Sequence, residues 1–337
     1  MRIYSRFAFL FILTLNVVVS HSQDNKLFLK YSETRNLMAS PFTIVIYTQD
    51  TTGISVNTDQ VFHRLEKALD AINYYDADSE INEFCHQQKA GNWVKVSVDL
   101  LGILKRSKRA YKKSDGVFDV SAGRLIRFWK SKKVWDHPVD SAIIKSLKPS
   151  LSLNKLRFRG NRVKWGVDSV VIDIGGIGKG YVTDLALKSL RKYKYKRVLI
   201  NAGGDMVLGR EKPTGPWAIG VEMPGHTSLS NQSLALSHRA VATSGTTYQT
   251  IEIDGKIYSH IINPVTGLPV SHHSNVTTIA KCGWKADFYA SYFSILEPEE
   301  AIAVANKSPD VEVLITFDKA GGVASIFSRG FSKYLKK

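Results

Sequence analysis

The sequence predicts a mixed α/β (α+β) fold, on three observations. Of 337 residues, 44% are apolar and 23% charged, with 24 Gly and 10 Pro, which is the balance of a folded globular chain rather than a disordered, collagen-like or coiled-coil one. Short apolar runs of strand character alternate with stretches of helical period along the chain. No linker separates two halves and no internal repeat is visible, so residues 23–337 read as one domain, with a lobe inserted near 125–165.

The first 22 residues read as a secretory signal peptide. Arg2 and Arg6 precede a 13-residue apolar run, Phe7 to Val19, and the small residues Ser20 and Ser22 follow. Thirteen apolar residues are short for a bilayer span, so an uncleaved anchor is the lesser reading. No Cys lies near the cleavage point, which speaks against a lipid anchor. The mature chain is therefore expected to be exported, periplasmic in a Gram-negative cell, soluble, and without a transmembrane segment.

The elements follow in order. Pro41 to Tyr47 reads as a buried strand. Val61, Phe62, Leu65, Leu69 and Ile72 recur at helical spacing and predict a helix over 59–75. Asp76, Asp78 and Ser79 break and recap the chain, Asp99 caps a helix running to Lys113, and Gly116 stops it. Residues 131–160, with their Pro, Ser and Lys, read as an irregular excursion. Ser169 to Ile174 is a short apolar strand entering Gly175-Gly176-Ile177-Gly178-Lys179-Gly180, with a helix from Tyr181 to Lys192. Arg197 to Asn201 is a strand ending in Ala202-Gly203-Gly204-Asp205, Trp217 to Val221 is another, and 223–237 reads as a surface loop. Alternation around Asp254-Gly255 predicts a hairpin. Val276 to Ala280 is a strand, Lys285 to Leu296 a helix, and Pro298 opens the next. Val311 to Phe317 and Val323 to Phe327 close the chain as a hairpin around Gly321-Gly322.

The net charge is +16, from 46 Lys+Arg against 30 Asp+Glu. Such a balance favours anionic partners, or serves solubility alone. The dense runs are Lys105 to Lys113, Arg124 to Lys133, Arg191 to Arg197 and Lys333 to Lys337. None interleaves with aromatics in an RNA-binding pattern and no zinc-finger spacing occurs, so no nucleic-acid partner is expected. The two Cys, Cys85 and Cys282, exclude a disulfide scaffold and a Cys-rich zinc site.

Four groups carry chemistry. The Gly-rich turn reads either as an anion site at a helix N-terminus or as a tight turn that needs Gly for steric reasons. It fits neither the Walker spacing nor G-x-G-x-x-G, since Tyr181 holds the last position. Asp173, in an apolar run just before the turn, either caps the loop or grips a ligand hydroxyl or ring nitrogen. Asp287 and Ser291, at i and i+4, share a helix face. Two hard oxygen donors at that spacing suit Mg²⁺, which takes few protein ligands, or else Asp287 complements a helix dipole. His260 lies in a polar, turn-forming stretch where a site residue is plausible, whereas the adjacent His272 and His273 point apart and make no metal pair. Thr243-Ser244-Gly245 lacks a base and reads as a turn lining a pocket.

These pieces occur in an order that resembles the ApbE family, the FAD:protein FMN transferases. The stretches are Met38-Ala-Ser-Pro-Phe-Thr, Tyr75-Asp-Ala-Asp-Ser-Glu-Ile-Asn, Asp115-Gly-Val-Phe-Asp119-Val-Ser-Ala-Gly-Arg-Leu, Asp173-Ile-Gly-Gly-Ile-Gly-Lys-Gly-Tyr, Asn201-Ala-Gly-Gly-Asp205, Ala242-Thr-Ser-Gly245, Tyr258-Ser-His-Ile-Ile-Asn-Pro-Val-Thr-Gly267 and Ala286-Asp287 through Ser291. The similarity runs from about Met38 to the C-terminus. It implies a T-fold-related single catalytic domain that uses Mg²⁺ and FAD, transfers FMN to a Ser/Thr hydroxyl of an exported target flavoprotein, and releases AMP. Redox-pump subunits are the family's usual targets. By position, Met38, Tyr75, Val117, Phe118, Asp119, Asp173, Lys179 and Ile262 match FAD contacts. Gly176 (through its carbonyl), Asp287 and Ser291 match metal ligands, and His260 matches a His at the reacting centre. Four positions depart from the family pattern. Asn263 stands where Asp follows the His, Thr246 where Asp is common, Ser291 for Thr, and Gly178 for Ala. A carboxylate at 263 would be able to orient His260. Two other readings keep the same site: an Mg²⁺-dependent FAD pyrophosphatase giving FMN and AMP, and a non-catalytic FAD-binding or flavin-scavenging protein. Retention of Asp287 with a hydroxyl at 291 argues against the last.

Overall fold

The computed structural model describes residues 27–87, 91–148, 153–166, 170–221, 223, 232–245, 250–320 and 322–336. The expected signal segment, Ser169, Thr246, Gly321 and most of the expected loop at 223–237 lie outside these residues.

In chain order the elements are β1 (Leu29–Leu37), β2 (Ser40–Thr48), α1 (Ile54–Ile72), α2 (Glu80–Gln87), β3 (Val94–Lys95), α3 (Val98–Lys113), α4 (Gly123–Lys130), β4 (Val134–Trp135), α5 (Ser141–Leu147), β5 (Arg157–Arg159) and β6 (Arg162–Lys164). There follow α6 (Gly178–Lys192), β7 (Arg197–Ala202), β8 (Asp205–Leu208), β9 (Trp217–Val221), β10 (Gln232–Leu236), β11 (Ala240–Gly245), β12 (Thr250–Ile253), β13 (Lys256–Ser259), β14 (Ser274–Ala280), α7 (Gly283–Phe293), α8 (Pro298–Lys307), β15 (Val311–Lys319) and β16 (Gly322–Phe327). This is the mixed α+β architecture the sequence predicts.

The frame is an eight-stranded sheet in the order β1-β2-β7-β8-β11-β14-β15-β16. Every neighbouring pair in it is antiparallel. Side chains alternate between its faces, as a period of two requires. In β2, Phe42, Ile44 and Ile46 join the main core with α1, α6 and α7, while Val45 and Tyr47 face a second core under the β9–β10 ribbon. That second core, built on Trp217, Ile219, Leu234, Leu236 and Phe331, covers the opposite sheet face. A third cluster joins Leu125, Trp129, Ile144, Ile251, Ile253 and Ile262, so the lobe is built from two separate stretches of chain, while Leu153, Leu156, Val163 and Trp165 of the expected 125–165 lobe belong to the main core.

The structure corrects several boundaries. α1 begins at Ile54 because Ile54 and Thr58 are already buried. Ser97, not Asp99, caps α3: its side chain accepts from the Leu100 N–H, and Asp99 instead pairs with Arg64 at 2.5 Å. Residues 170–174 are not a strand; they run outside any sheet, with the Asp173 N–H donating to the Val120 carbonyl at 2.8 Å. The segment read as an irregular excursion holds β4, α5 and β5. α7 starts at Gly283 because Asp184 of α6 accepts from the Gly283 and Trp284 N–H groups, at 2.7 and 3.1 Å. Cys85 and Cys282 are both free thiols. Among the described residues no helix is long and apolar enough to cross a membrane.

Candidate active site

All twelve residues singled out by position line one cavity of about 1080 Å³ between the main sheet, the α6 and α7 N-termini and the lobe. Met38 reaches it from the β1–β2 turn. Leu37 pairs with Ser40, leaving Met38-Ala39 as a two-residue turn with both residues at φ 55°. Non-glycine residues cost about 1 kcal/mol each there, and the long hairpin holds them in place. Tyr75 stands 78% exposed at the rim, its ring 4.2 Å from that of Tyr74, whose hydroxyl donates to it at 2.9 Å. Val117 and Phe118 follow the end of α3, and Phe118 packs edge-on against Phe288 at 5.1 Å.

Three carboxylates differ in environment. Asp119 is 7% exposed and accepts from the Ser121 N–H and hydroxyl, at 2.9 and 2.6 Å. Burial outweighs those bonds and pushes its carboxyl up to about 6. Asp173 accepts from the Gly175 N–H at 2.8 Å. Burial, followed by the nearby Asp173 charge, raises the Tyr74 phenol. Asp287, 5% exposed, accepts from the Gly180 N–H at 2.8 Å. Burial, and then the neighbouring Asp205 charge, push it up to about 8.

The Gly-rich turn works differently from the anion-cradle reading. The N–H groups of Gly175, Gly178 and Gly180 go to Asp173, the Ile174 carbonyl and Asp287 respectively. Its glycines permit close approach instead. A Cβ on Gly176 would lie 2.6 Å from the Ser291 hydroxyl and 2.9 Å from the Phe118 ring. A Cβ on Gly180 would lie 2.2 Å from the Gly283 carbonyl oxygen, where α6 crosses α7. Along α7, Asp287 lies against Gly180 and Ser291 against Gly176.

Sequence reasoning missed Asp205. It begins β8, is 4% exposed, and pairs with Lys179 at 2.6 Å. Burial opposes the Lys179 charge, but Asp205 and Asp287 more than restore it and raise its ammonium. Burial also raises Asp205. The signal was present in Asn201-Ala-Gly-Gly-Asp205, a carboxylate opening a strand after a glycine pair. Thr243, Ser244 and Gly245 line the cavity, as the pocket-lining reading of that stretch expects, and Lys130 lines it without having been singled out.

The donor set fits a small hard cation. Two buried carboxyls face one ammonium, and the one in excess, Asp287, is pushed towards its protonated form unless a cation is bound beside it. The Gly176 backbone touches the Ser291 hydroxyl one helical turn from Asp287. Among the described residues no group of three or more His, Cys, Asp or Glu forms a cage. Such a lean oxygen set suits Mg²⁺ completed by substrate phosphates and water, not a transition metal.

His260 enters the cavity just after β13. Its loop is pinned by bonds from the Ser259 and Val270 N–H groups to the carbonyls of Val270 and Ile261, and by the Trp129 indole donating to the Gly267 carbonyl at 2.8 Å. Asn263 is turned to its own loop. Its side-chain oxygen accepts from the Val265 N–H at 2.9 Å and the Thr266 N–H at 3.4 Å.

The ApbE family model matches residues 38–315, and the chain belongs to that family. A Vibrio cholerae FAD:protein FMN transferase is 27% identical over 279 residues, covering 81% of this chain and 83% of that protein. A Haemophilus influenzae FAD:protein FMN transferase is 23% identical over 299 residues, covering 84% and 86%. The fold also matches the apo Pseudomonas stutzeri flavinyl transferase ApbE, with a TM-score of 0.82 at 23% identity, over 91% of this chain and 97% of that one. The Vibrio cholerae flavin transferase ApbE superposes with a TM-score of 0.79 at 24% identity, over 91% and 100%.

Proposed function

We propose that this chain transfers FMN from FAD to a Ser or Thr hydroxyl of an exported flavoprotein and releases AMP, with Mg²⁺ as the resident cation. The observation that carries the reading is the convergence in one cavity of Asp287, Ser291 and the Gly176 backbone with Lys179 and His260. Residues 1–22 would direct export and residues 23–337 form the catalytic domain.

Asp287, the Ser291 hydroxyl and the Gly176 carbonyl would hold the Mg²⁺, which supplies charge neutralisation at the pyrophosphate. Lys179, kept charged by Asp205, adds a fixed positive charge on the same wall. Met38, Tyr75, Val117, Phe118 and Ile262 provide apolar and aromatic surface for the flavin dinucleotide, and Asp119 and Asp173 polar anchors. His260 takes the proton of the acceptor hydroxyl. The new bond forms between that oxygen and the FMN-side phosphorus, the bridging P–O bond breaks, and AMP leaves with the electron pair.

The test mixes the protein with FAD, Mg²⁺ and a Thr-bearing flavoprotein acceptor domain, and follows AMP and acceptor mass together. AMP with an FMN-sized mass gain supports the transferase. AMP with free FMN and an unchanged acceptor indicates hydrolysis, and bound FAD without AMP indicates a binding protein. Asp287→Ala should abolish turnover while FAD affinity survives in part, and unchanged turnover would overturn the cation site.

A further inference from the structure

The small sheet β3-β6-β5 has one face that the catalytic reading leaves unused. Val94 pairs with Val163 and Phe158 with Val163, and these three side chains turn inward, Val163 being fully buried. The alternate residues turn outward. Lys95 stands opposite Arg162, Arg162 opposite Arg159, and Lys164 opposite Arg157. These three pairings on the outward face each set cation against cation. Like charges directly opposite across strands are destabilising, so this arrangement opposes folding of the sheet. Among the described residues none of the five is in an ion pair.

The elements packed on the inner side of this sheet are basic as well. Residues 153–166 contain no Asp or Glu, nor do residues 100–114. Those two stretches meet: the Lys108 ammonium donates to the Leu156 carbonyl, and Lys105 and Lys108 lie over the Phe158 ring at 5.8 and 5.9 Å. Lys105, Arg109 and Lys112 are exposed along α3 beside it. Burial, then the Arg157 and Lys112 charges, lower the Lys108 ammonium, a mark of crowded like charge. Trp93, one residue before β3, is 38% exposed, and Val98 at the start of α3 is 74% exposed.

We propose that this face docks the protein on an anionic lipid surface. Five cations at neighbouring register positions on one sheet face suit an array of phosphate headgroups rather than a single anion. An exposed Trp beside Lys and Arg is the pairing that settles at a membrane–water boundary. Docking leaves the catalytic cavity intact and does not depend on which flavin reaction occurs there.

The experiment is vesicle co-sedimentation of residues 23–337 with phosphatidylcholine vesicles, with or without 30% phosphatidylglycerol, at low and high salt. The expected result is binding to the anionic vesicles alone, released by salt. Each cation contributes about fivefold, so the triple variant Lys95→Gln/Arg162→Gln/Arg159→Gln should bind roughly a hundredfold more weakly. Its fold should persist by circular dichroism, with an unfolding midpoint at low salt equal to or above the parent's, since like-charge pairs are removed. The charge-matched triple Arg191→Gln/Lys192→Gln/Lys194→Gln should keep at least about a fifth of the parent affinity, about one cation's worth of loss. No binding to anionic vesicles, equal losses in the two triples, or tighter binding to soluble poly-glutamate than to vesicles would each overturn the proposal, the last in favour of an acidic protein partner.

Discussion

The crossing of α6 and α7 is where packing and chemistry are hardest to separate, and Gly180→Ala separates them. A methyl at 180 would sit 2.2 Å from the Gly283 carbonyl oxygen and 2.8 Å from the Asp287 Cβ. Both are backbone or near-backbone atoms of one helix, so no side-chain rotation relieves the clash. To reach ordinary contact near 3.4 Å the crossing must open by about 1.2 Å. The Gly180 N–H to Asp287 bond, now 2.8 Å, would then stretch to about 4 Å and be lost. Overpacking costs about 1–3 kcal/mol and a buried acceptor left short about 1–3 kcal/mol more, against a gain of about 1 kcal/mol from replacing a helical glycine. The net loss of roughly 1–5 kcal/mol corresponds, for a chain of this length, to a fall of about 2–7 °C in unfolding midpoint. The same displacement carries Asp287 away from Gly180 and Ser291 away from Gly176, and a shift near 1 Å at a reacting centre costs about a hundredfold in rate. Gly178→Ala is the matched control. Its methyl would meet the Ile174 side chain at 3.4 Å and the Met38 methyl at 3.6 Å, ordinary contacts, so it should leave rate and midpoint unchanged or slightly raise stability. The assay is AMP release from FAD with an acceptor domain, beside a thermal melt. Gly180→Ala within about threefold of the parent rate and about 2 °C of its midpoint would refute the close crossing as the device that holds the cation site.

Asn263→Asp should change turnover by less than about threefold, because the 263 side chain accepts from the Val265 and Thr266 N–H groups and a carboxylate would do the same. A large gain, with an altered pH–rate profile, would mean that it reaches His260 after all. Asp119→Asn should flatten a pH dependence of stability. Burial raises the Asp119 carboxyl from 3.8 to about 6, so between those values the folded chain keeps a proton that the unfolded chain has released. The Asp119 contribution therefore falls as pH rises from about 4 to 6, by at most about 3 kcal/mol, and is constant above. Urea midpoints across that range should slope downward less steeply for the variant than for the parent, the remaining slope coming from Asp205 and Asp287, which burial also raises.

What the sequence made legible depended on length and on chemistry. Long elements with an uninterrupted period, such as β2 and α1, read correctly in type because each must bury one face. The hairpin at Asp254-Gly255 read correctly because both turn residues take positive φ, 50° and 70°. Residues 170–174 misled because alternating burial resembles a strand even where no partner strand lies alongside. The β3-β6-β5 face was hidden for the opposite reason. Strands of two or three residues are too short to show any period, and the cations on them looked scattered until pairing set them opposite one another.

The candidate site was legible in its motif residues and opaque in their couplings. Asp205 and Lys179 lie in separate motifs, and only the antiparallel order β7-β8-β11 beside α6 sets one against the other. Likewise, a sequence shows that Gly175 to Gly180 is glycine-rich but not whether the freed N–H groups face a ligand or the protein. Here they face Asp173, Ile174 and Asp287, which changes what the loop contributes. Positive potential on this wall would then rest on Lys179 and on the cation proposed for Asp287 and Ser291, rather than on the loop backbone. If that division is right, neutralising Lys179 should weaken binding of the dinucleotide's phosphates more than any single glycine substitution that leaves the α6–α7 crossing closed.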